Sequence, residues 1–474
     1  MSLTRKIAHN TLVQVIGRGG AGILAVVAIS FITRYLGREG FGYYTTVVAF
    51  LQFIAILIDF GLTTIAVQMV SERDDGTDKI MSNLMTLRTV SAAIFLGAAP
   101  LLALFFPYPG IIKLGIAITT ITFFFQLLLQ TITGIFQKHM AMHIPAAADF
   151  ISRLFYVAAV AALVYFKQGF LPILWVLAAS NLVSLLIIYF YSRKFVVIRP
   201  AFDWAIWKAI LSRAWPIGLS IILNLIYLKA DIIILSLYKS QEDVGLYGAP
   251  YKLIDALTMF AMLFMGLILP LLAVAWAKKE TARFAHIFQK TFNLLVMFIV
   301  PMLVGTYFIS GKVMTVMGGS EFAASGKILM ILSIGAAALF AGSLFSFTII
   351  ALDKQKMVIW GYLADAVISL IGYFIFIPRY SYIGAAWVTV FSETFIVAIG
   401  AFIVWRETKL FPKFLKISAK ALAAALPMAV LLYFVKDMSV VISMSAAAAV
   451  YVFFIILFRG ITMEEVKKII RVKA

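Results

Sequence analysis

The chain has 474 residues, 63% of them apolar and only 13% charged, with a net charge of +19 and no cysteine. A soluble domain of average composition is about 45–50% apolar and about 25% charged, so a water-soluble globule this apolar could not cover its surface. The positive balance does not point to nucleic acid, because no polar stretch is long enough to build a basic face on an aqueous domain. Without cysteine there is no disulfide, thiolate chemistry or cysteine-ligated metal.

Apolar runs about 20 residues long, separated by short polar breaks, match the length of helix that crosses ~30 Å of hydrocarbon. The runs are continuous rather than alternating, which favours helices over a barrel, and lipid forces each span to satisfy its own backbone. Arg5 and Lys6 precede the first run, but that run is a full span without a small-residue cleavage site, so it reads as a retained helix. In chain order, fourteen spans are expected: 12–33, 43–66, 82–105, 111–136, 144–166, 172–192, 214–238, 246–275, 287–309, 327–350, 357–377, 384–405, 419–435 and 440–458. The fold class is an all-α polytopic membrane protein.

An even number of spans puts both termini on one side. With residues near helix ends counted in the adjoining loop, 26 Lys and Arg share that side and 9 lie opposite. The positive-inside rule then makes both termini cytoplasmic, and most of the charge is topology signal and attraction to anionic lipid surfaces. The longest connection, 193–213, carries Trp204, Ile206, Trp207, Ile210 and Leu211 beside Lys208 and Arg213, the pattern of an interfacial helix. Thr462 to Ala474 is similar, with Glu464 and Glu465 early and Lys467, Lys468 and Arg471 late, matching the helix dipole.

Glu39-x-x-Gly42-x-Tyr44 returns as Glu242-x-x-Gly245-x-Tyr247. Lys138 returns as Lys354, Ala148-Asp149 as Ala364-Asp365, and Trp175-Val176 as Trp387-Val388. The order suggests that helices 1–6 and 7–12 are copies related by an axis along the membrane normal, as in parallel-repeat transporters. The expected organisation is a six-helix lobe over 1–192, a cytoplasmic interfacial linker helix over 193–213, a second six-helix lobe over 214–405, and two extra transmembrane helices with a basic cytoplasmic tail over 406–474.

Arg34-Tyr-Leu-Gly-Arg-Glu-Gly-Phe-Gly-Tyr-Tyr44 followed by Asp59-Phe-Gly-Leu62 resembles the opening of the polysaccharide transporter family, which includes the Wzx-type O-antigen flippases. That family belongs to the multidrug/oligosaccharidyl-lipid/polysaccharide exporter superfamily. The likeness continues through Tyr227-Leu-Lys-Ala-Asp231, Gly318-Gly-Ser-Glu-Phe322 and Ile377-Pro-Arg-Tyr-Ser-Tyr-Ile-Gly-Ala-Ala386. It implies two pseudo-symmetric lobes around a central cavity, alternating access, and a polyprenyl-diphosphate-linked oligosaccharide (an O-antigen or exopolysaccharide unit) moved from the inner to the outer leaflet of the cytoplasmic membrane. Polysaccharide polymerase or glycosyltransferase machinery would be the protein partners; no cofactor is expected. A lipid II flippase or a multidrug or other small-molecule exporter of the same superfamily is the alternative.

Ionisable groups at bilayer depth cost ~2.5–3.5 kcal/mol each on insertion scales and usually face a cavity or a partner. Arg18, Arg88, Lys229, Asp231, Lys252 and Asp255 are the candidate cavity residues, and Glu393 and Asp59 the candidates for an ion-coupled carboxylate. Arg18 stands among Gly17, Gly19, Gly20 and Gly22, which permit close packing or a bend, while Arg88 is near enough to a helix end to snorkel. If helices 7 and 8 are antiparallel neighbours, Lys229 comes level with Asp255 and Asp231 with Lys252. That quartet either neutralises itself or lends a lysine to the substrate diphosphate. Asp149 and Arg153, at i and i+4, are expected to pair structurally. The histidines lie at cytoplasmic edges and suggest no metal site. A membrane enzyme would need catalytic groups concentrated in an outer loop, and the longest, 310–326, has no histidine or paired carboxylates.

Overall fold

The structure is a computed structural model that describes residues 3–72, 76–435 and 438–460. The side chains of 3–16, 18, 66, 67, 70–72, 216, 217, 220 and 223–228 lie outside the description, and with them Arg18; so does the expected C-terminal helix.

The described residues form helices and connections. They are α1 (Leu3–Asp59), α2 (Leu62–Glu72), α3 (Thr77–Leu104), α4 (Gly110–Lys138), α5 (His143–Tyr165), α6 (Phe170–Ser192), α7 (Trp204–Tyr238), α8 (Gln241–Ala277), α9 (Thr281–Gly318), α10 (Ser325–Ala351), α11 (Ile359–Thr408), α12 (Leu415–Phe434) and α13 (Val440–Leu457). Eleven segments are long and apolar enough to cross a membrane.

Two of those segments are double. A straight helix as long as α1 or α11 would run about 75–85 Å at 1.5 Å per residue, more than twice the hydrocarbon thickness. α1 is split at Gly37 (φ 66°) and α11 at Ser381 (φ 51°). In α11 the halves pack antiparallel: Gly361 faces Ile399, Gly372 faces Val388, and Gly384 lies on Phe376. Counting each half, and adding α7, recovers the fourteen expected crossings. The expected interfacial helix over 193–213 is not separate: the chain is extended to Asp203, and Trp204 opens α7, which continues unbroken to Tyr238.

By packing, the chain forms two compact units, Met1–Gly248 and Ala249–Ala474. In the first, α1 packs on α3, α4, α5 and α7, and α4 lies between α3 and α6. Leu62, Met81, Phe136, Ile188, Val196 and Ile210 join α2, α3, α4, α6 and the start of α7 in one apolar cluster. In the second unit, α10 packs on α9 and α11. The two last helices dock on α9, where Gly305 makes room for Met428 and the Tyr451 hydroxyl donates to the Met297 carbonyl at 2.9 Å.

Candidate functional site

In the first unit the second crossing breaks where α1 ends: Phe60 (φ 41°) and Gly61 (φ 78°) take left-handed backbone before α2 begins. A break frees helix-end carbonyls that lipid cannot satisfy. Arg88 of α3 fills that need and is fully buried. Its guanidinium donates to Asp59 Oδ1 at 2.6 Å, Thr63 Oγ1 at 2.8 Å and Thr131 Oγ1 at 3.0 Å, and reaches the Ile58 carbonyl at 3.5 Å. Thr63 also donates to Asp59 Oδ1 at 2.5 Å. Phe60 lies against Gly218 of α7, where a Cβ would come within 2.6 Å of the ring.

Arg88 and Asp59 stood in separate roles on the sequence, one for substrate and one for ions. The structure brings them together, and Arg88 does not snorkel. Sequence reasoning missed Thr63 and Thr131; Thr63 carries a signal, lying one helical turn after Asp59.

One end of this unit is built on the two Glu-x-x-Gly-x-Tyr motifs. A Cβ on Gly42 would fall 1.8 Å from the Gln241 carbonyl oxygen, and one on Gly245 would fall 2.0 Å from that of Arg38. Only glycine allows backbones to cross this closely. Thr46 donates to the Gln241 side chain at 2.7 Å. Asp231, fully buried, accepts from the Tyr247 hydroxyl at 2.6 Å and from the Ile232 amide at 2.8 Å, so it anchors the tyrosine of the second motif. Lys229, two residues earlier on α7 and on another face, is half-buried.

Around Arg18 the glycines divide: Gly17 and Gly20 pack on Ala146 and Phe150 of α5, whereas Gly19 and Gly22 face open space. On α5, Arg153 Nε donates to Asp149 Oδ1 at 3.1 Å, and each side chain is 41% exposed.

The connection to α7 is clamped along α3. The amides of Val197, Arg199, Ala201 and Asp203 donate to Asp78, Ser82, Thr86 and Asn83, and Lys79 pairs with Asp203 at 2.7 Å. Asp203 also accepts from the Ala205 and Ile206 amides and so caps α7. Its carboxyl is held below the ordinary range, first by the Lys79 hydrogen bond and then by the Ile206 amide.

In the second unit, Lys252 is half-buried and Asp255 exposed on α8. Glu393 is buried against Gly335. Beside it Asp365, fully buried, accepts from Ser392 at 2.7 Å and Ser369 at 3.2 Å. Among the described residues no group of three or more His, Cys, Asp or Glu side chains could hold a metal.

Charged groups at depth in membrane helices are costly and face a partner or a cavity. A family model described as polysaccharide biosynthesis protein matches residues 3–276, more than half of the chain. The chain belongs to that family. It is similar to the succinoglycan biosynthesis transport protein ExoT of Rhizobium meliloti (strain 1021), 22% identical over 438 residues covering 91% of this chain and 87% of that one. The fold of this polysaccharide biosynthesis family member matches that of the lipid II flippase MurJ in an inward closed conformation, with TM-score 0.74 and 18% identity over 94% and 98% of the two chains. An inward-facing multidrug transporter of the MATE family matches with TM-score 0.68 and 12% identity over 82% and 94%. The resemblance seen in the sequence thus falls on the right family, and the chain is a multi-pass helical membrane protein with a flippase-like fold.

Proposed function

We propose that this transporter moves a polyprenyl-diphosphate-linked oligosaccharide from the inner to the outer leaflet of the cytoplasmic membrane by alternating access, with both termini cytoplasmic. The family match over residues 3–276, together with the likeness to a succinoglycan transport protein along nearly the whole chain, carries this reading. Unaided flipping drags sugars and a diphosphate through hydrocarbon, where unpaired charge is prohibitive. Water and cations within the protein remove most of that cost while the isoprenoid tail stays in lipid.

Arg18, Lys229 and Lys252 are the cations assigned to the diphosphate, Arg18 because its fork binds phosphate oxygens bidentately. Asp231 and Asp255 are the candidate acidic groups beside them in sequence, and Glu393 the candidate for ion coupling. Arg88 is assigned here to the helix break, since Asp59 and two threonines take three of its five N–H donors and Nη1 faces the Ile58 carbonyl.

Purified protein reconstituted into liposomes with a fluorescent lipid-linked oligosaccharide tests the reading. The expected result is protein-dependent transfer between leaflets that falls at least tenfold in Arg18→Ala and Lys229→Ala. Transfer of lipid II alone, or of a drug cation alone, would replace this reading with another of the superfamily.

A further inference from the structure

Asp149 and Arg153 have an exposure that pairing alone does not explain. Arg153 is one residue from the middle of α5, about 15 Å from one end and about 18 Å from the other at 1.5 Å per residue. The lipid face of that helix is apolar and includes the exposed Ala147, Ile151, Leu154 and Ala158. At 3.6 residues per turn, Asp149 and Arg153 each lie about 200° around the helix from Ile151. They therefore flank the face that carries buried Ser152 and Tyr156, where the Ser152 carbonyl accepts from Ser180 of α6 at 2.8 Å. An interior face should be closed. Yet both charged side chains are 41% exposed, on the side away from the apolar face.

The second unit supplies the contrast. The repeat mate of Ala148-Asp149 is Ala364-Asp365, and the same offset carries Arg153 to Ser369. There the carboxylate is sealed, with no exposed surface and two serine donors. A purely structural acid at this position needs only small hydroxyl partners and full burial. The first unit has instead a guanidinium and an opening.

We propose that this opening is a hydrated recess of the first unit and that Asp149 and Arg153 form a saccharide-binding subsite in it. A carboxylate acceptor and a planar donor fork side by side match the hydroxyl groups of a glycan. The pair carries no net charge, so it does not compete with the cations assigned to the diphosphate. This subsite rests on the reading of the chain as a carrier of lipid-linked saccharide.

Because the chain has no cysteine, single cysteines report cleanly. Arg153→Cys is expected to react with a water-soluble maleimide, Ile151→Cys on the lipid face to remain inert, and added lipid-linked oligosaccharide to slow the Arg153→Cys reaction at least fivefold. In proteoliposomes, Asp149→Asn and Arg153→Gln are expected to raise the KM for the oligosaccharide carrier about tenfold with kcat changed less than twofold. The charge-swapped double variant Asp149→Arg/Arg153→Asp restores function if the pair only neutralises itself along α5, and stays impaired if it reads hydroxyls. Inert Arg153→Cys, labelling unaffected by the saccharide, or full rescue by the swap overturns the subsite while wild-type flipping stands. A wild-type protein that moves no lipid-linked saccharide overturns the functional reading and the subsite with it.

Discussion

Gly42 and Gly245 cross reciprocally: Gly42 lies on the carbonyl of Gln241, four residues before Gly245, and Gly245 lies on that of Arg38, four residues before Gly42. Equivalent positions of the two sequence motifs thus meet as mirror contacts. Glu-x-x-Gly-x-Tyr repeats because the glycine permits the crossing, while the tyrosine of the second copy ties it down through Asp231. Gly42→Ala and Gly245→Ala each force backbone apart and are expected to exceed the ~1–3 kcal/mol typical of overpacking. Gly19→Ala, with nothing near its Cβ, should instead stabilise by up to about 1 kcal/mol through helix propensity. Thermal unfolding in detergent measures all three.

The pair of Arg88 and Asp59 makes a prediction of opposite kinds for one partner and for both. Asp59→Ala leaves a fully buried guanidinium uncompensated and is expected to destabilise by about 3–5 kcal/mol. The double replacement Asp59→Leu/Arg88→Met removes both charges and should recover much of that loss. A double-mutant cycle on unfolding in detergent gives the coupling; additive effects would mean the ion pair does not hold the helix break.

The clamp on the connection before α7 should respond to acid through Asp203. Its native carboxyl titrates below the ordinary 3.8, so the stabilisation it lends is complete above that value and is lost as pH falls through the lower native one. The difference in melting temperature between wild type and Asp203→Asn is therefore expected to be constant from neutral pH down to the ordinary carboxyl range, then to shrink below it. A difference that grows on acidification would contradict the assignment.

Ser392→Ala removes the shorter of two side-chain donors to a carboxylate with no exposed surface. It is expected to destabilise by roughly 1–3 kcal/mol, the range for a buried acceptor left unsatisfied. The glycan preference of the reconstituted protein should not change, because Asp365 is sealed where Asp149 is open. Parallel melting and transport measurements separate the two effects.

The sequence alone determined the class of molecule, the number and approximate placement of the crossings, and the family. Those properties follow from hydropathy summed over about 20 residues and from motifs contiguous along the chain, and both are local. Tertiary structure alone decided which charges meet. Asp59 and Arg88 are 29 residues apart on different helices, and nothing local says that the guanidinium turns toward a helix break rather than a cavity. The extension of α7 back to Trp204 was hidden because Trp204, Trp207, Lys208 and Arg213 read as an amphipathic segment of their own, and only the structure shows that this turn runs on into the crossing. Asp149 and Asp365 share a sequence context, yet one is open and the other closed, because burial is a property of the neighbours that packing brings, not of the residue.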